Sequence, residues 1–177
     1  MFTITPASID CYQFPDDAQA GLVAILARFT GQVPETWVRA YAFTLQAMAD
    51  DIVASAKEGT LYHVFLDLSE ELTPVEKPFV TTFAAGLAGT KCDLTIGTSQ
   101  AGRKYIMHQK GFTNTANDCW EGSLNFSNSA FLQVNSAMQF NDQTWREQFV
   151  ASFNTDRAFA WANEASAQVM PEPVGGF

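Results

Sequence analysis

The stretch HQKGFTNTANDCWEGSLNFS, from His108 to Ser127, concentrates the side chains able to do chemistry. It offers an imidazole, an ammonium group two residues later, and then a Gly-Ser-Leu-Asn run. Successive residues of a strand point to opposite faces, so His108 and Lys110 project together, and so do Ser123 and Asn125. If the two stretches pair as neighbouring strands, one patch collects a titratable nucleophile or base, a cation, a hydroxyl and a carboxamide. Gly122 removes a side chain where something must approach the backbone closely. Such a patch can bind a tetrahedral oxyanion and act on it without a metal.

The same residues resemble the signature of the phospholipase D superfamily: His-x-Lys, four residues, Asp, six residues, then Gly-Ser-x-Asn. His108, Lys110, Gly122, Ser123 and Asn125 stand in register with no gap, five of the six signature positions. The order before the motif, a strand WVRAYAFT, a helix and then LYHVFLDL, is also similar, and the likeness covers about residues 7–163. Thr115 stands where the family has Asp. Where many members carry Asn-x-Glu, the best local match is Asn135-Ser136-Ala137, so a second family carboxylate is missing. Glu121, of the same strand parity as Ser123 and Asn125, and Asp118 are candidate substitutes. Gln133 is a further candidate partner for the imidazole.

The resemblance implies a mechanism. Family enzymes use two copies of the motif: one His attacks phosphorus to form a phosphohistidine, and the other protonates the leaving oxygen. Lys and Asn from both copies hold the non-bridging oxygens. This chain has one copy, and its other histidine, His63, reads as a strand residue within YHVFLDL. A homodimer that joins two His108 residues across a two-fold axis is therefore expected. The catalytic set is His108, Lys110 and Asn125, and Gly122, Ser123, Glu121 and Gln133 complete the substrate-binding set. No cofactor and no metal are called for. The substrate is a phosphodiester, and the short single-motif format favours nucleic acid. A phospholipid is the alternative within the family, and a catalytically impaired dimer acting as a binding or structural module is the alternative outside enzymology.

Around the motif, strand and helix patterns alternate. The expected fold class is α/β, a mixed β-sheet flanked by helices on both faces, in a single domain over residues 1–163 with a flexible tail at 164–177. Strands are expected at 8–14, 37–43, 61–68, 92–96 and about 132–140, and short strands surround the polar turn TNTAND within 104–125. Helices are read after Asp16 and Asp17 up to a stop at Gly31, from a Thr44 cap to Gly59, around Phe79–Leu87, and from about Asp142 to Asn163. SEELTPVEKP reads as an acidic loop.

Composition bounds the rest. The 177 residues are 47% hydrophobic and 16% charged, enough for one packed core. A net charge of −9 argues against a broadly basic nucleic-acid surface, which leaves Arg103, Lys104 and Lys110 as the local cationic feature. The three cysteines, Cys11, Cys92 and Cys119, lack metal-ligand spacing and read as reduced, mostly buried thiols. No run approaches the ~20 apolar residues of a membrane-spanning helix. With Met1 as the natural start, the expected location is the cytoplasm, and a removed signal peptide would leave no trace here.

Overall fold

The computed structural model describes residues 2–30, 33–71, 73–98 and 107–164. Its centre is built from the most continuous apolar runs of the chain. β2 (Glu35–Ala40), β3 (Leu61–Asp67) and β4 (Asp93–Gly97) lie parallel and are largely buried on both faces. β5 (Lys110–Asn114) runs antiparallel beside β2, followed outward by β6 (Asp118–Gly122), β7 (Asn135–Asn141) and the edge strand β1 (Ile9–Phe14). The result is one seven-stranded mixed sheet in the order β1-β7-β6-β5-β2-β3-β4.

Helices cover both faces, as the alternating pattern predicts. α1 (Ala18–Leu26), α2 (Gln46–Lys57) and α4 (Glu76–Leu87) bury Ile25, Met48, Ile52, Val80 and Phe83 against Val38, Val64, Leu94, Phe112 and Trp120. The long α5 (Gln143–Asn163) covers the opposite face, with Phe149, Phe153 and Ala160 against Trp37 and Phe65. Asp142 caps α5, accepting from the Trp145 amide at 2.7 Å, where the sequence places the helix start.

Several local expectations change. α1 stops at Leu26, and Gly31 lies outside the described residues. Thr44 does not cap α2: Leu45 is the N-cap, without a side-chain bond, and the Thr44 and Leu45 amides donate to the Phe126 carbonyl at 2.9 and 2.8 Å. β2 ends at Ala40, and Phe43 makes only an isolated bridge to Phe126. Part of the acidic loop is helical, α3 (Leu68–Glu71), and a 3-10 turn (Asn128–Leu132) delays β7 to Asn135. Cys92 and Cys119 are buried thiols, whereas Cys11 on the edge strand is exposed.

His63 is more than a strand residue. Its Nδ1 is hydrogen-bonded to Asp93, its Nε2 lies 2.8 Å from Glu35 Oε1, and Arg157 of α5 donates to Asp93 Oδ2 at 3.0 Å. The ring stacks on Trp37 at 5.5 Å. Burial alone would lower the His63 pKa; the Asp93 hydrogen bond and charge, with the Glu35 hydrogen bond, outweigh it and raise the value. A raised folded-state pKa contributes stability that is complete below the unfolded value of 6.5 and is lost as pH rises through the folded value. His63→Gln should therefore cost about 2 kcal/mol below pH 6, the scale of hydrogen bonds to charged groups. The cost should shrink at alkaline pH. Urea melts of both proteins across this range check it: a pH-independent difference would mean that folding leaves the imidazole pKa unshifted, and a cost that grows toward alkaline pH would mean that the imidazole is held neutral in the fold.

Candidate active site

The C-terminal ends of the parallel strands gather the chemistry. β3 ends at Asp67, which is fully buried; its Oδ1 accepts from the Ser69 amide at 2.9 Å and its Oδ2 from the Met107 amide at 2.5 Å. Asp67 thus anchors the chain one residue before His108. The His108 side chain is exposed, and its ring meets the Tyr41 ring at 4.6 Å between centroids. Lys110 opens β5 and is only 2% exposed. Its ammonium donates to the His108 carbonyl at 2.7 Å and lies 4.8 Å from the centre of the Tyr41 ring. The exposed imidazole and the sequestered ammonium therefore share one aromatic wall.

The second half of the motif arrives on the neighbouring strand. β5 and β6 pair antiparallel, with Gly111 opposite Glu121 and Phe112 opposite Trp120. His108 precedes β5 and Ser123 and Asn125 follow β6, so these residues sit on connections at the sheet end rather than within the ladder. The Phe126 amide donates to the Ala42 carbonyl at 3.2 Å, one residue after Tyr41, which draws the Asn125 segment to the His108 end. Asn125 Oδ1 is buried without a hydrogen-bond partner among the described residues.

Gly122 does make room, and what approaches is the chain itself. A Cβ there would stand 2.4 Å from the Ser136 carbonyl oxygen and 2.7 Å from Ala137 Cα, so the residue serves the β6–β7 contact. Ser123 is tied to the same strand: its hydroxyl donates to Asn135 Oδ1 at 3.1 Å and accepts from the Ser136 amide at 3.0 Å.

No protein-family model and no curated protein sequence matches the chain. Solved structures do. NucT from Helicobacter pylori superposes with a TM-score of 0.74 at 13% identity, covering 86% of this chain and 96% of that one. Nuc from Salmonella typhimurium, a phospholipase D family member, gives 0.71 at 17%, covering 86% and 95%. Polyphosphate kinase from Porphyromonas gingivalis gives 0.62 at 11%, covering 96% of this chain and 27% of that one. The chain has a phospholipase D-like fold.

Within that fold, the residues considered for the missing carboxylates are dispersed. Thr115 follows β5 at the far end from Lys110, its amide donating to the Glu35 carbonyl at 3.1 Å. Asp118 starts β6 at that same far end, 3.4 Å from Asn141 Nδ2 and 3.8 Å from Arg28 Nε, so it does not replace the lost acid. Ala137 is buried against Gly122. Gln133 lies exposed between the 3-10 turn and β7, and among the described residues it makes no hydrogen bond to His108. Arg103 and Lys104 lie outside the described residues.

Glu121 faces α5 from β6, opposite Gly111, where a Cβ would stand 2.8 Å from its Oε2. That oxygen is buried without a hydrogen-bond partner among the described residues. Burial pushes the carboxyl up to about 7, against the opposing pull of the Arg39 and Lys110 charges. No hydrogen bond joins it to His108 among the described residues. Sequence reasoning missed Asp67, Tyr41 and Arg39. Tyr41 stands one residue beyond β2 and Asp67 at the end of β3; the signal that could have found them is a polar residue at the end of an otherwise apolar strand.

Proposed function

We propose that this protein is a metal-independent phosphodiesterase of nuclease type, working through a phosphohistidine at a homodimer interface. The observation that carries the reading is the exposed His108 imidazole beside the buried Lys110 ammonium, at one sheet end with the Asn125 segment. His108 attacks phosphorus, and the bond to the leaving oxygen breaks as His108 of a second copy gives that oxygen its proton. Water then attacks the phosphohistidine, the second imidazole takes the proton, and His108 is released with a phosphomonoester product. Lys110 and Asn125 from both copies hold the non-bridging oxygens, and a desolvated ammonium is worth more there than in water.

Nucleic acid as substrate is supported by the single-motif format and by the near end-to-end match to two small chains, of which 96% and 95% are covered. With a net charge of −9, substrate capture rests on a local cationic feature that includes Lys110 rather than on a broadly basic surface. Light scattering is expected to give about twice the 19.4 kDa chain mass. Hydrolysis of bis(p-nitrophenyl) phosphate should persist in excess EDTA. A monomer that stays monomeric with substrate, or activity lost to EDTA and restored by magnesium, would overturn the mechanism. Parallel assays on DNA, RNA and phosphatidylcholine vesicles rank the substrates.

One observation favours a second reading, a dimer that binds phosphate without cleaving it. No carboxylate hydrogen-bonds His108 among the described residues, and Ser123 is engaged by β7. Phosphate binding with no hydrolysis of any of these diesters would establish that reading.

A further inference from the structure

We propose that Arg39 is a positioning residue for this reaction, holding Gln109 from beneath the sheet and thereby fixing how His108 and Lys110 are presented. The inference rests on the reading of His108 and Lys110 as reacting groups and adds residues that the motif does not contain.

Arg39 is the penultimate residue of β2, 3% exposed, on the face covered by α5. Removing a guanidinium from water costs several kcal/mol unless its charge and donors are engaged. Here Nη1 donates to Gln109 Oε1, and Nη2 lies 3.0 Å from Asp156 Oδ2 on α5. The guanidinium carbon sits 5.4 Å from the centre of the Phe149 ring and 5.5 Å from that of Phe153. A planar fork clamped between two rings can direct its donors two ways at once, toward the helix and toward the motif, where a lysine could not.

The target of that donor gives the arrangement its meaning. Gln109 is the residue between His108 and Lys110, and side chains alternate across an extended chain. Drawing Gln109 toward α5 turns His108 and Lys110 to the other side. The β2–β5 ladder ends at the Ala40–Lys110 pair, so residues 108 and 109 have no cross-strand partner there to set their rotation. The segment is instead held by Asp67 at Met107, by Arg39 at Gln109, and by the Lys110 ammonium on the His108 carbonyl. Arg39, Gly111 and Glu121 lie side by side across β2, β5 and β6, so Arg39 also faces the Glu121 carboxyl.

A purely structural Arg39 would fasten α5 to the sheet through Asp156, and Gln109 would be incidental. Gln109→Ala separates the two, because it leaves the Arg39–Asp156 pair in place. With bis(p-nitrophenyl) phosphate as the probe, Gln109→Ala is expected to lower kcat about tenfold while KM stays within about twofold, the pattern of a misplaced reacting group. Gln109→Glu, which keeps an acceptor oxygen, should recover most of that loss. Arg39→Gln combined with Gln109→Ala should be no slower per folded molecule than the slower single variant, since both remove one contact. If Arg39→Gln does not fold, the Gln109 pair decides alone. Wild-type kcat in Gln109→Ala, equal losses in Gln109→Ala and Gln109→Glu, or additive losses in the double variant would overturn the proposal. His108→Ala run beside them keeps the two levels apart. If it is dead while Gln109→Ala is normal, only the positioning role fails; if it is active, the catalytic reading itself fails.

Discussion

His108→Ala is expected to lower phosphodiester hydrolysis by at least about a thousandfold, because it removes the nucleophile rather than one of several groups that share a charge. The fold should not notice. The side chain is exposed, its ring meets that of Tyr41 at 4.6 Å, and the backbone around it is held by Asp67 and Lys110 through main-chain atoms. A melting temperature within a degree or two of wild type is therefore expected, as for surface substitutions away from special features. Wild type quenched during turnover in alkaline detergent, where a histidine P–N bond survives, should carry a phosphoryl group on histidine, and the variant should carry none. Undiminished hydrolysis by the variant would place the active site elsewhere, and a wild type that hydrolyses but is never labelled would point to direct attack by water.

The spacing of the motif was legible because it is a property of two short extended stretches. His108 to Lys110 and Ser123 to Asn125 each need only strand parity, and the polar TNTAND turn between them announces the β5–β6 hairpin. The helices were legible where an apolar stripe and a cap coincide, as at Asp142. What eluded the sequence depends on partners far away along the chain. Arg39 reads as one polar residue in WVRAYAF; nothing local reveals Gln109, 70 residues on, or Asp156 on the last helix. The Thr44 cap failed for the same reason: the Phe126 carbonyl, brought in by tertiary structure, holds the Thr44 and Leu45 amides, and the helix starts one residue later, with Leu45 as N-cap. Ser123 and Gly122 belong to the signature, yet both are absorbed by the β7 contact, which periodicity alone cannot foresee.

The acidic partner of the imidazole is where sequence and structure part most. The resemblance assigns a carboxylate to His108, and strand parity nominates Glu121. The fold turns Glu121 toward α5, under Gly111 and beside Arg39, on the face opposite to that of Lys110. The polar layer under the motif thus supports His108 through Gln109 and the backbone rather than by hydrogen-bonding its ring.

Glu121→Gln is accordingly expected to change stability more than chemistry. A carboxyl whose pKa is about 7 in the fold, against an ordinary 4.5, keeps its proton where the unfolded chain has lost it. Stability of the wild type therefore falls as pH rises from about 4.5 to about 7 and then levels off. Ionised and buried, the group costs on the order of 3 kcal/mol, mostly from burial that Arg39 and Lys110 only partly offset. Glutamine cannot ionise, so the variant should be more stable than wild type by about that amount at pH 8, with the gain vanishing toward pH 4.5. Turnover should fall less than about tenfold, since no hydrogen bond from Glu121 to the imidazole is lost; an acid acting directly on His108 would instead cost about ten- to a thousandfold. Denaturant melts at pH 5 and pH 8, with kcat measured on the same samples, test both halves. A variant less stable at pH 8 would show that Glu121 is ionised and paired with Arg39, making the layer beneath the motif a salt bridge. A loss of activity above tenfold at unchanged stability would return the carboxylate to the imidazole.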